Sequence, residues 1–318
     1  MYKLSVVIPC YKATQTIAQT LHSIAMQSIV DDVEVIIVND CDGLDYSCIL
    51  CKFDMHQSFI RRDKNGGCGA ARNTGILAAT APYIIFIDAD DQFSNPLALE
   101  ILYNTIRKQK ADVVSAAFES EMRFADDEYQ KFAGVAIKKI ERSPVWCHSK
   151  IYSRQYLLDN NLFFKESLRI NEDVEFHQIL IDIGAKIVEI PTPLYMWRDN
   201  PKSVTHESLY NNKEWFVRAV TEYLRDCAER GLTGEVVKRR VLQNLTVMYD
   251  YANITADDVP EKLSDYLAVC REYWKLAAPI VADVSDEEIT EVFLTVMKQQ
   301  MNVIPTITFT DFLDMIRN

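Results

Sequence analysis

The sequence predicts an α/β protein in which a mainly parallel sheet, flanked by helices, is followed by a helical C-terminal domain. Three observations carry that expectation. Short β-branched runs alternate with helix-period segments over the first 115 residues, the pattern of a parallel sheet covered on both faces. From about residue 207 the strand signals give way to long amphipathic stretches. A chain of 318 residues also exceeds the usual single-domain size, so a large domain over 1–206 and a smaller one over 207–318 are expected.

Leu4-Ser-Val-Val-Ile8 is a β-branched run closed by Pro9, and residues 14–27 carry Ile17, Leu21, Ile24 and Ala25 at helical spacing, so strand passes to helix. Val33-Glu-Val-Ile-Ile-Val38 is a second strand, Phe59-Ile60 marks another, and Tyr83-Ile-Ile-Phe-Ile87 is an unbroken apolar run of buried-strand length. Helices fit between them at 69–79 and 97–109. From about 116 the pattern is irregular: 119–139 is polar and 146–160 reads as helix, with Trp146 and Lys150 at i and i+4. Residues 174–183 are helix-like, and 215–230, 236–251 and 287–300 are amphipathic.

The composition, 48% hydrophobic and 25% charged, is that of an ordinary globular protein. A net charge of −12 repels a phosphate backbone, so no nucleic-acid partner is expected. The longest apolar runs, such as 83–87, fall far short of the roughly 20 residues that span a bilayer, and no cleavable signal pattern opens the chain. A cytoplasmic location is expected, with peripheral membrane association compatible. Eight scattered cysteines predict free thiols, and Cys48-x-x-Cys51 lacks the second pair or histidines a zinc site needs.

Asp88-Ala-Asp-Asp91 follows Ile87 directly, at the carboxyl end where open α/β sheets bind ligands. While the chain stays extended, alternation puts Asp88 and Asp90 on one side and Asp91 on the other. Two like charges on one side repel each other. Mn²⁺ or Mg²⁺, held by one or two carboxylates and by substrate phosphates, resolves that conflict. An isolated Asp-x-Asp is more often a solvated acidic turn. Here, however, Asp40 ends the second strand and Pro9 and Tyr11 end the first, so three strand ends converge on one crevice. Asp40 can accept a hydrogen bond from a base edge, and Tyr11 offers a ring for stacking.

In Arg61-Arg-Asp-Lys-Asn-Gly-Gly-Cys-Gly-Ala-Ala-Arg-Asn73 the glycines, Gly67 among them, allow close backbone approach, and Lys64 and Arg72 can meet anionic oxygens. Gly67-x-Gly69 is followed by Arg72 where a dinucleotide fingerprint has its third glycine, and no Gly-Lys-Ser/Thr occurs. Hydride chemistry and P-loop ATP hydrolysis are therefore set aside.

Val6-Val-Ile-Pro-Cys-Tyr11, Val35-Ile-Ile-Val-Asn-Asp40, Lys64-Asn-Gly-Gly-Cys-Gly-Ala-Ala-Arg-Asn73 and Phe86-Ile-Asp-Ala-Asp-Asp91, in this order, closely resemble family 2 glycosyltransferases, over roughly residues 3–205. The resemblance implies a GT-A-type, Rossmann-like fold over 1–206, with a nucleotide-binding half over 1–115 and an acceptor-side half over 116–206. It also implies an inverting, metal-dependent transfer from a nucleoside-diphosphate sugar, usually a UDP-sugar. By position, Asp40 would contact the base with Tyr11 and Pro9 beside it, Arg72, Lys64 and Gly67 would hold the nucleotide, and Asp88 would lie near the ribose. Asp90 would ligate the metal, with Asp91 as the second-choice ligand. After Asp40 the family often reads Gly-Ser where this chain has Cys41-Asp42-Gly43.

Direct displacement with inversion needs a base on the acceptor hydroxyl. The family's Glu-Asp pair is matched by Glu172 and Asp173, which implies Asp173 as base with Glu172 as its neighbour; an acidic pair favouring a helix N-terminus is the plainer reading. Tyr195-Met-Trp-Arg198 followed by Ser203-Val-Thr-His206 resembles the family's loop near the diphosphate, with Arg198 neutralising leaving-group charge, Ser203 nearby and His206 as a third metal ligand. Expected partners are the nucleoside-diphosphate sugar donor and a carbohydrate or glycolipid acceptor; homodimerisation through the C-terminal helices is compatible with their apolar stripes. The alternatives are a nucleotidyltransferase and a non-catalytic sugar-nucleotide binder.

Overall fold

Strand β1 (Leu4–Cys10) is buried along its whole length, because it has a parallel neighbour on each side. Among the described residues (1–122, 137–141, 143, 145–198, 200, 209–297 and 306–318) of this computed structural model, β1 is followed by α1 (Ile17–Ala25), β2 (Val33–Asn39), α2 (Ser47–Leu50), β3 (Gln57–Arg61), α3 (Gly67–Ala78) and β4 (Tyr83–Phe86). Then come β5 (Gln92–Phe93), α4 (Ala98–Gln109), β6 (Val113–Met122), β7 (Ile137–Glu141), β8 (Lys150–Ser153), α5 (Arg154–Asp159), α6 (Glu172–Asp182) and β9 (Ile187–Trp197). The chain closes with α7 (Leu209–Arg230), α8 (Glu235–Asp258), α9 (Leu263–Ala277), α10 (Asp286–Met297) and α11 (Phe309–Arg317).

Among the described residues nine strands form one sheet in the order β3-β2-β1-β4-β8-β6-β9-β5, with β7 added on β6. The β3-β2-β1-β4 half is parallel. β8 enters antiparallel to both β4 and β6, whereas β9 runs parallel to β6. Apolar faces of β1, β2 and β4 pack on α1 and α4 through Ile17, Leu21, Leu99 and Leu102. On α3, a Cβ added at Gly75 would lie 2.2 Å from Cγ1 of Val7, so only glycine permits this close approach of helix to strand.

Two expectations are corrected. Residues 146–160 are helical only in their last part; a turn through Ser149, at φ +59°, leads into β8, and α5 begins only after Ser153, whose side chain accepts from the Tyr156 N–H. Pairing of Ile151 and Tyr152 with strands on both sides, of Lys150 with β6 and of Ser153 with β4, overrides the helical spacing. Residues 116–122, where the pattern was expected to become irregular, belong to a ten-residue strand, Val113–Met122.

The chain forms two compact units: Met1–Arg169 with Gly184–Ser203, and Ile170–Ile183 with Val204–Asn318. The helix opened by Glu172 thus belongs to the helical unit, although strands precede and follow it in sequence. In that unit Tyr223, Tyr249, Tyr266 and Tyr273 are fully buried. Each hydroxyl donates: Tyr223 to Asp182 at 2.8 Å, Tyr249 to the Ile307 carbonyl at 2.8 Å, Tyr266 to that of Met248 at 3.0 Å and Tyr273 to that of Val241 at 3.5 Å. A buried phenol needs such a partner. Among the described residues, no helix is long and apolar enough to cross a membrane.

Candidate active site

The register of β1, β2 and β4 brings their carboxyl ends to one edge of the sheet. Three loops leave that edge. The first carries Tyr11, half exposed, with the Lys12 ammonium 5.1 Å from its ring centre; Pro9 stays buried inside β1.

The second carries Asp40, which is 3% exposed. One of its oxygens accepts from Arg62 Nη1 at 2.5 Å and from the Gly66 N–H at 3.0 Å; the other accepts from Gly66 at 3.1 Å and Gly67 at 2.7 Å. Gly67 sits at φ +82°, which a side chain would oppose, and it begins α3. Asp40 therefore caps that helix and anchors the glycine loop, a carboxylate placed where the helix dipole favours it. Asp42 tightens the same turn by accepting from the Lys12 N–H at 2.6 Å and the Tyr46 hydroxyl at 2.6 Å. Lys64 lies exposed on the loop.

The third loop is the acidic one. The chain does not stay extended after Ile87: the Asp91 N–H donates to the Asp88 carbonyl at 3.0 Å, and the turn separates the three carboxylates by partner rather than by side. Asp88 accepts from Arg72 Nη2 at 2.9 Å; Arg72, 3% exposed, rises from α3 with its guanidinium 5.3 Å from the centre of the Phe164 ring. Asp90 accepts from Asn200 Nδ2 at 2.7 Å. Asp91, 1% exposed, accepts from the Tyr195 hydroxyl at 2.5 Å and from the Arg198 N–H at 2.8 Å. The Arg198 guanidinium donates to Gln19.

Tyr195 reaches Asp91 because β9 slips its register against β6. Ala116 opposes Ile190 while Ala117 opposes Pro193 and Phe118 opposes Tyr195, an irregularity at a stretch where Pro191 and Pro193 cannot donate to the ladder. Beyond Tyr195 the His148 ring stacks on the tyrosine, 5.0 Å between centres at 20°.

Burial, and then the neighbouring Asp88, raises the Asp90 carboxyl above its ordinary value. Burial, followed by Asp88 and Asp90, raises Asp91 well above it. A site whose carboxylates resist ionisation this way fits a hard divalent cation, Mg²⁺ or Mn²⁺, contacted by one or two carboxylates and completed by phosphate oxygens. Among the described residues no three carboxylate, histidine or cysteine side chains surround a metal position. Asp90 and Asp88 would hold it; both Asp91 oxygens already accept hydrogen bonds.

Of the remaining sequence-derived residues, Glu172 and Asp173 open α6 in the second unit after Asn171 at φ +63°, a conformation asparagine tolerates better than most residues. His177 shares the Asp173 face, and its Nδ1 lies 2.8 Å from the Asp173 carbonyl oxygen. Ser203 and His206 lie outside the described residues. The sequence reading missed Asn200, Arg62 and His148, and it quoted Tyr195 without a role; a tyrosine three residues before Arg198 was the one local signal.

Residues 5–162 match the model of the family described as "Glycosyl transferase family 2". The chain is 28% identical over 217 residues to EpsJ, an uncharacterized glycosyltransferase of Bacillus subtilis (strain 168), covering 64% of this chain and 62% of EpsJ. It is 26% identical over 292 residues to the minor teichoic acid biosynthesis protein GgaB of the same organism, covering 85% of this chain and 32% of GgaB. It therefore spans less than two thirds of either relative. In fold it is similar to residues 1–349 of S. aureus TarS, solved in complex with UDP-GlcNAc, with a TM-score of 0.64 at 17% identity over 95% of this chain and 93% of that one. This likeness shows the GT-A-type α/β fold with its helical C-terminal region.

Proposed function

This chain belongs, through residues 5–162, to glycosyl transferase family 2, and on that premise we propose that it moves a sugar from a nucleoside-diphosphate sugar, first of all a UDP-sugar, to a hydroxyl of a carbohydrate or glycolipid acceptor. The transfer inverts the anomeric carbon and serves polysaccharide or glycoconjugate synthesis. The observation that carries this reading is the acidic turn Asp88–Asp91 with Arg72 against it, on the same sheet edge as Tyr11 and the Asp40-capped glycine loop.

In this reading Tyr11 flanks the base, and Arg72 holds Asp88 through its hydrogen bond while presenting cationic charge to the nucleotide. Lys64 adds a mobile ammonium, and Gly67 lets the backbone approach. A base edge meets the Asp40 carboxylate only in exchange for Arg62 or a glycine N–H, because these already occupy its oxygens. Asp90, with Asp88 beside it, would hold a divalent ion, which when bound would supply positive charge to the leaving diphosphate. Asp91 holds the Arg198 backbone and the Tyr195 hydroxyl, so its role is to position; the Arg198 guanidinium is assigned to leaving-group charge. Asp173 is assigned as base from its motif, with Glu172 beside it, and Ser203 and His206 keep their motif-derived roles beside the diphosphate. The acceptor O–H proton passes to the Asp173 carboxylate, the acceptor oxygen bonds to the anomeric carbon, and the bond to the diphosphate oxygen breaks with both electrons leaving on the nucleotide.

The test supplies UDP-sugars, Mn²⁺ and an acceptor panel and measures UDP release for the wild-type chain, Asp90→Ala and Asp173→Asn. Loss of about 10²-fold or more in both variants is expected. Undiminished release in both overturns the assignment of these residues, and pyrophosphate in place of UDP assigns nucleotidyl transfer instead.

A further inference from the structure

Trp146 is 40% exposed, while Phe86, Phe118, Phe164 and Tyr152 around this half of the sheet are buried. Its backbone is held firmly for so exposed a ring. The Lys150 ammonium, on a residue only 3% exposed, donates to the Ser143 carbonyl at 2.7 Å and to the Trp146 carbonyl at 2.6 Å. The Ser143 hydroxyl oxygen accepts from the Val145 N–H at 3.3 Å and the Trp146 N–H at 3.1 Å. Ser149 and Tyr152 tie the following turn down through the Ala117 and Cys147 carbonyls. A buried ammonium is tolerated only where it is hydrogen-bonded, and these two bonds fix the loop that carries the indole.

The ring also leads somewhere. Its centre lies 5.6 Å from that of Phe118 and 5.4 Å from that of His148; His148 stacks on Tyr195, and Tyr195 donates to Asp91 in the acidic turn. His148 Nε2 is shielded from solvent and has no hydrogen-bond partner among the described residues. Burial, then the neighbouring Lys150, pushes this imidazole down to about 3, so it is neutral and offers one donor and one acceptor nitrogen. A pyranose matches such a wall, with C–H groups of one face against the indole and a hydroxyl toward the imidazole.

We infer that Trp146 is the stacking platform for a sugar ring of the acceptor, with His148 behind it as a hydrogen-bonding partner. The inference rests on the glycosyl-transfer reading above. The acceptor, rather than the donor, is chosen by topology: Tyr11, Asp40 and Arg72 occupy the parallel β3-β2-β1-β4 half, whereas Trp146 precedes β8 and packs toward β6 and β9 on the other side of the acidic turn.

The experiment compares full-length wild type with Trp146→Ala and Trp146→Phe in two assays: binding of the fluorescently labelled protein to an array of bacterial polysaccharide fragments, and UDP release at saturating donor with a fragment from that array. Trp146→Ala weakens glycan binding and raises the acceptor KM about tenfold, Trp146→Phe recovers most of both, and the donor KM and acceptor-free donor hydrolysis stay within about twofold. Unchanged glycan binding and acceptor KM in Trp146→Ala overturns the inference, as does a wild type that binds no fragment, or a rise in donor KM matching that for the acceptor. Glycan binding that needs Trp146, without UDP release from any nucleotide sugar, overturns the glycosyl-transfer reading and leaves the platform standing.

Discussion

Replacing Tyr195 by Phe isolates one hydroxyl at the centre of the site. That hydroxyl donates to Asp91 at 2.5 Å and accepts from the Asp88 N–H at 3.3 Å, both in a position shielded from water. The ring itself stays, so its stack on His148 and its edge contact with Phe93, 6.4 Å between centres, survive. What is lost is a hydrogen bond to a buried carboxylate, about 1.5–3 kcal/mol. At about 2–4 °C per kcal/mol for a domain of this size, that is a drop of about 3–12 °C in Tm. The cost depends on pH with a definite sign. Burial and its acidic neighbours already raise Asp91 above the ordinary carboxylate value, and the Tyr195 hydroxyl pulls it back down. A carboxyl raised in the folded state loses stability as pH rises through its folded value, and removing the hydroxyl raises that value further. The deficit of the variant is therefore larger at pH 8 than at pH 5, because acidification moves Asp91 toward its protonated form. Urea unfolding at both pH values, with unchanged slope, measures it. Equal midpoints at pH 8, or a deficit that grows on acidification, would refute the reasoning.

Three other perturbations follow from the same geometry. Gly75→Ala drives a methyl into Val7 and costs about 1–3 kcal/mol in urea unfolding, and Val7→Ala in the same chain recovers part of that loss because the two positions touch. Mn²⁺ and UDP together raise the melting temperature of the wild type, by about 2.7 kcal/mol of stability at a hundredfold excess over Kd, and Asp90→Ala abolishes the Mn²⁺-dependent share in a thermal-shift titration. At pH 8 a thiol reagent labels Cys41, Cys48 and Cys51 in the native protein, while Cys10 and Cys227, pushed up by burial to about 11, and Cys270, to about 12, react only after denaturation.

Strands β1, β2 and β4 were legible because each is an apolar, largely β-branched run that is buried almost throughout, and the turn residues that matter follow those runs directly. Asp40, Tyr11 and Asp88 could be placed at one edge by that logic alone. Strand β8 was not legible: Trp146 and Lys150 sit at helical spacing, and only pairing with β4 and β6, long-range in sequence, makes Lys150–Ser153 extended. Strand β9 contains two prolines, which local rules count against it, although a register slip accommodates them. The partners of the acidic turn were equally hidden, since Tyr195 and Asn200 lie more than a hundred residues from Asp91 and Asp90. Alternation along an extended chain mispredicted that turn, because the Asp91 N–H closes it locally on the Asp88 carbonyl.

The grouping of α6 with the C-terminal helices has a consequence for how such chains can be shortened or recombined. The polypeptide passes between the two units three times, after Arg169, after Ile183 and after Ser203, so no single cut separates them. A chain ended near residue 203 keeps α6 but strips away α7, and the buried flank formed by Val174, Phe176, Ile179 and Leu180 becomes an adhesive apolar ridge. Exchange of the helical unit between relatives therefore has to carry residues 170–183 along with it, and the acidic pair Glu172 and Asp173 travels as cargo of the helices rather than of the sheet.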